Sequence, residues 1–217
     1  LKTFAGAGPA AWVVTVKGRP SALGAFVAAL LAGCAGAGTG PAPAYPAGSS
    51  AQEISIENYD RALLSEAIIE ETNSVRKAHG APPLAHLKGL DEAADEQAFY
   101  MALMFRAEHG NPIAGERDVG ERALHAGVIW HRVAENVLKE PVQAPPGAVG
   151  PTYTYASLAK FLVDCWMGSP PHRANLLDPA FTAIGCSARF AHTVAGYQMV
   201  FASQVFIVFP KGSSSPG

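Results

Sequence analysis

The first acidic residue in this chain of 217 is Glu53. Residues 1–50 are drawn mostly from Ala, Gly, Pro and Ser, and such a stretch buries too little apolar surface to offset the entropy of ordering it. A folded core must therefore come from the chain that follows, which is long enough for one globular domain. The sequence is 49% hydrophobic and 16% charged, so it is not disordered throughout. Lys and Arg are scattered and the formal net charge is −2, which excludes the clustered basic surface of a nucleic-acid binder.

Within the acid-free segment, Lys17 and Arg19 precede an apolar stretch from Ala22 to Leu31. It is too short to span a bilayer and suits the core of a signal peptide. The stretch closes in Leu31-Ala32-Gly33-Cys34, which resembles the lipobox of bacterial lipoproteins. That resemblance implies that residues 1–33 are removed and that Cys34 is lipidated, anchoring the chain to a membrane. The other reading is a small-residue cleavage site that happens to precede a cysteine. Residues 34–58 are then expected to be a flexible tether, and residues 211–217 a disordered Ser/Gly/Pro tail. Loss of residues 1–33 leaves 13 basic against 18 acidic residues, so a lipid rather than charge must hold the domain on an anionic bilayer.

The domain is expected over residues 59–210. Leu64, Ala67, Ile68, Val75 and Ala78 step at helical spacing, and Gly80 with Pro82-Pro83 ends that helix. Leu87, Leu90, Ala94, Ala98, Met101 and Phe105 mark a second helix, stopped by Gly110-Asn111-Pro112. A short helix is expected over 118–125, and the alternation of 128–138 predicts a strand. Residues 139–152 read as a loop. Leu158, Phe161, Leu162 and Cys165 mark a third long helix, broken by Gly168 and Pro170-Pro171. Ile184, Cys186, Ala188 and Phe190 alternate along one strand, and Met199, Phe201, Val205 and Ile207 along another. The order predicts an α+β fold.

Ile129, His131, Val133, Glu135 and Val137 would share one face of the first strand. A carboxylate on an apolar face must be hydrogen-bonded, paired or metal-bound, unless that face meets solvent. His109 is expected at the C-terminus of the second helix, where an imidazolium gains roughly 0.3–1 kcal/mol from the helix dipole. His172 lies just past a helix end in a backbone stiffened by two prolines. His79, His86, His125, His131 and His192 have no arrangement that sets them apart. Cys165 and Cys186 both point inward by pattern, and outside the cytoplasm a disulfide between them would stabilise by roughly 3 kcal/mol; the alternative is two buried thiols. No HExxH, CxxC, GxSxG or phosphate-binding glycine loop occurs.

From about Leu63 to Val208 the chain resembles a bacterial member of the CAP superfamily (cysteine-rich secretory proteins, antigen 5, pathogenesis-related 1). The resemblance is carried by Asn73-Ser74-Val75-Arg76, Gly80, Pro83-Leu84, then His109, Arg122, Gly127 and Ala134-Glu135-Asn136. Its most specific piece runs from Trp166-Met167-Gly168-Ser169-Pro170-Pro171-His172-Arg173 to Phe181-Thr182-Ala183-Ile184-Gly185-Cys186. It implies a three-layer α-β-α sandwich with a small antiparallel sheet, and a cleft lined by His109, Glu135, Ser169 and His172. Many relatives place two His and two Glu there, some with a divalent metal. Here Ser169 stands where the second Glu is expected and the later Gly-His-Tyr-Thr-Gln stretch has no counterpart. Three functions follow as expectations. The first is a non-enzymatic, lipid-anchored envelope module that binds a lipid, a small hydrophobic molecule, a peptide or a partner protein. The second is a metal-dependent hydrolase with His109, Glu135 and His172 around zinc, Glu135 being its catalytic candidate. The third is a structural envelope protein.

Overall fold

The computed structural model describes residues 13–14, 49–142 and 152–210. The proposed signal peptide and lipobox cysteine Cys34, apart from the backbone of Val13–Val14, and the C-terminal tail lie outside the described residues.

Asp60 caps the first helix, α1 (Arg61–Ala78), its carboxylate accepting from the Ala62 and Leu63 amides. Helix α1 ends at His79, and Gly80 turns the chain away at a left-handed φ of 75°. A two-residue strand, β2 (Ala85–His86), leads into α2 (Lys88–Met104). A short α3 (Val119–His125) precedes the long strand β3 (Arg132–Pro141). Helix α4 (Tyr155–Gly168) begins with a capping box between Thr154 and Ser157. It passes directly into α5 (Pro170–Leu177), and the chain closes with β4 (Ala183–His192) and β5 (Gln198–Val208). With Val13–Val14 as β1, the sheet order is β1-β3-β5-β4-β2. The three long strands are antiparallel, and the two short edge strands pair parallel. The sheet is therefore mixed where a purely antiparallel one is expected, while the α+β class holds.

Both sheet faces are covered. Ala134, Leu138, Ile184, Cys186, Val200 and Phe206 meet α1 and α4 in one core. Val133, Ala183, Val205 and Ile207 meet α2 and α3 in another, which Val137, Phe201 and Met101 extend. Period-two alternation along strands apolar on both faces produces the three layers. Among the described residues no helix is long and apolar enough to cross a membrane.

Four expectations need correction. The first strand starts at Arg132 rather than 128 and runs to Pro141, into the expected loop. Pro170 and Pro171 open a helix rather than only ending one: their missing amides fall in the first turn, where none is needed. Residues 49–58, expected in the tether, take part in the fold: Ile54 and Ile56 pack on the core, and Ile54 donates to the Tyr153 carbonyl at 2.8 Å. Cys165 and Cys186 are thiols with no bond between them. Helix α1 packs against both β4 and α4, and the Cys186 thiol bonds with Gln204 in the core, where burial pushes its pKa well up.

Candidate functional site

Glu135 sits midway along β3 on the face toward α2 and α3, and only 1% of its side chain is exposed. That face is thus buried, and the carboxylate is paid for by three partners. Arg122, fully buried on α3, donates from Nη2 to Oε1 at 2.7 Å. Ser203, diagonally across on the neighbouring strand β5, donates its hydroxyl to the same oxygen at 2.9 Å. His109 Nδ1 meets Oε2 at 2.9 Å. Burial alone would raise the Glu135 pKa, but the Arg122 charge and the His109 and Arg122 hydrogen bonds outweigh it and hold the carboxyl below its ordinary value. Glu135 is therefore an anion at neutral pH.

His109 is not at a helix end. Phe105 takes a left-handed φ of 55° and closes α2 at Met104, so His109 lies in the loop beyond and the helix-dipole role falls away. That loop is clamped from two sides. Gln97 on α2 donates to the Glu108 carbonyl, and Arg122 Nη1 donates to the carbonyls of Glu116 at 3.0 Å and His109 at 3.4 Å. One arginine thus fixes both the backbone and the carboxylate partner of the imidazole. With Nδ1–H given to an ionised Glu135, Nε2 is left as the reactive nitrogen.

His172 stands in the first turn of α5, held by a polar network on the other face of the sheet. Asn136 Nδ2 donates to the His172 carbonyl at 3.0 Å and to Gln204 Oε1 at 3.3 Å, while Asn175 Nδ2 donates to Asn136 Oδ1 at 3.0 Å. Burial, then the proximity of His109, pushes the His172 imidazole below its usual pKa, so it is neutral at pH 7. Ser169 joins α4 to α5, and among the described residues its hydroxyl makes no hydrogen bond to His109, Glu135 or His172. The structure therefore unites His109 and Glu135, sets His172 within electrostatic reach, and leaves Ser169 outside the hydrogen-bonded set.

Zinc does not fit this set well. His109, Glu135 and His172 do not bring three ligand atoms within 4.8 Å of one another, and both Glu135 oxygens are taken. Ser203 was missed by sequence reasoning, and Arg122 entered only through the resemblance. Both carry a signal: Arg122 shares the buried stripe of Val119 and Ala123, and Ser203 lies between Phe201 and Val205 on an inward face.

The CAP family, described as the cysteine-rich secretory protein family, matches residues 69–206, well over half of the sequence. The chain belongs to the CAP family. No curated protein matches it. Similar solved structures include an extracellular protein containing a SCP domain from Bacillus anthracis, 22% identical with a TM-score of 0.48, the match covering 68% of this chain and 41% of that one. An outer surface protein from Borrelia burgdorferi is 14% identical with a TM-score of 0.49, over 74% of this chain and 99% of that one. The CAP domain of enterococcal PrgA is 16% identical with a TM-score of 0.46, over 77% and 72%. This CAP chain thus spans less than half the length of the Bacillus protein.

Proposed function

We propose that this CAP domain is a non-enzymatic binding module displayed in the cell envelope, periplasmic or at the surface, and held to the membrane by a lipid on Cys34. Its ligand would be a lipid, a small hydrophobic molecule, a peptide or a partner protein that hydrogen-bonds to the imidazole of His109. The observation that carries this reading is the saturation of Glu135. A general base needs a free oxygen aimed at substrate, whereas this carboxylate spends both oxygens on Arg122, Ser203 and His109. Its role is to hold one tautomer and one orientation of His109. The leader-like segment and Leu31-Ala32-Gly33-Cys34 support the location.

The purified chain, incubated with envelope lipid and peptide extracts and analysed by mass spectrometry, is expected to retain a defined ligand that His109→Ala loses. Retention of nothing, or equal retention by His109→Ala, would count against the module. A hydrolase reading draws on the neutral His172, which lies within electrostatic reach of His109. Turnover of an ester or peptide library abolished by His172→Ala would replace the first reading.

A further inference from the structure

Three side chains from separate segments, none of them part of the His109–Glu135 pair, converge beside α2. Glu96 comes from α2, Glu116 from the loop before α3, and His125 from the last position of α3. One ligand atom from each lies within 4.8 Å of the other two. His125 Nδ1 is 3.0 Å from Glu96 Oε1, close to the separation of two ligand atoms sharing a tetrahedral ion at about 2.0–2.1 Å. The second oxygen of Glu96 is sealed from solvent and has no hydrogen-bond partner among the described residues. A carboxylate oxygen in that position lacks the partner that burial normally demands. Glu116 adds a second negative charge beside it, and burial followed by that charge raises the Glu96 pKa. Asn111 Nδ2 donates to Glu116 Oε2 at 3.1 Å, leaving the other Glu116 oxygen for a ligand and orienting the group.

We propose that Glu96, Glu116 and His125 form a binding site for a divalent transition-metal ion, with zinc the best match to one imidazole and two carboxylates. The cation would cancel the repulsion between the two carboxylates and, bound by both Glu96 oxygens, would give the buried one its missing partner. Three protein ligands leave a fourth position for water or for a group from a bound molecule. The site is separate from the His109–Glu135 pair, yet Arg122 touches both, bonding the Glu116 carbonyl and the Glu135 carboxylate. Because Glu116 also anchors the loop that carries His109, an ion here would stiffen the segment that presents the imidazole.

The test is titration of the whole chain with zinc by calorimetry, and with cobalt by visible absorption, whose d–d bands report the coordination number and geometry of the bound ion. One ion per chain is expected, with affinity falling at least about tenfold in Glu116→Gln and in His125→Ala. Both positions reach solvent, and each variant should melt like the wild type in the presence of a chelator. His109→Ala is expected to bind zinc as the wild type does. Absence of binding by the wild type overturns the proposal, as does binding lost in His109→Ala but kept in Glu116→Gln and His125→Ala.

Discussion

Arg122 is a fully buried guanidinium whose hydrogen bonds reach β3 and the His109 loop. Desolvating it costs several kcal/mol, and that cost is offset only while Glu135 is present and ionised. Removing one charge strands the other. Arg122→Met is therefore expected to lower unfolding stability by about 3–5 kcal/mol, measured by chemical denaturation. Adding Glu135→Leu to that variant should recover part of the loss, because no lone charge then remains in the core. A double variant worse than the single one by the full cost of Glu135→Leu alone would show that the pair does not act as a unit.

At the scale of elements, the tightest joint lies between α2 and β4. A Cβ on Gly185 would collide with the Leu90 and Asp91 backbone of α2, which cannot give way as a flexible side chain could. Gly185→Ala is expected to destabilise by about 1–3 kcal/mol or more, read as a lowered Tm with the His109 loop loosened in hydrogen exchange. Much of this architecture was legible beforehand. The unbroken three-and-four spacing from Leu90 to Met101 placed α2, and alternation placed β4 and β5. Less was legible where local chemistry points two ways. Pro170-Pro171 serve equally to end one helix and to start another, and nothing local tells which. Strand β2 exists only because Ala85 and His86 find Ala183 and Ile184, a pairing across about a hundred residues. In the site, Glu135 stood out as a charge among apolar residues, and the resemblance brought His109 to it. The disposition of Ser169, and of the Glu96–Glu116–His125 group, depended on three-dimensional convergence that spacing does not encode.

For the molecule as a whole, the sandwich carries an ionised carboxylate between its layers, and this sets its behaviour in acid. Glu135 has a folded pKa below its ordinary 4.5, so its contribution to stability is present above that value and is lost as pH falls through the folded pKa. Asp95 acts in the same direction: burial would raise it, but hydrogen bonds from Arg189 and Ser187 more than compensate. Glu96 and Glu140 act oppositely, since burial raises both and their contribution fades as pH rises through their folded values. The Glu135 part can be isolated by comparing the wild type with Glu135→Gln, because the other three groups are common to both. At pH 7 the variant should melt lower by roughly 6–12 °C, which is about 3 kcal/mol lost from the pairing with Arg122. Below pH 4.5 the gap should narrow, as protonation turns the wild-type carboxylate into a neutral group much like the amide. Thermal melts from pH 7 down to 3 would check this. A gap that stays constant to the lowest pH would mean that Arg122 is held by its carbonyl contacts alone, and that the charge on Glu135 does not stabilise the fold.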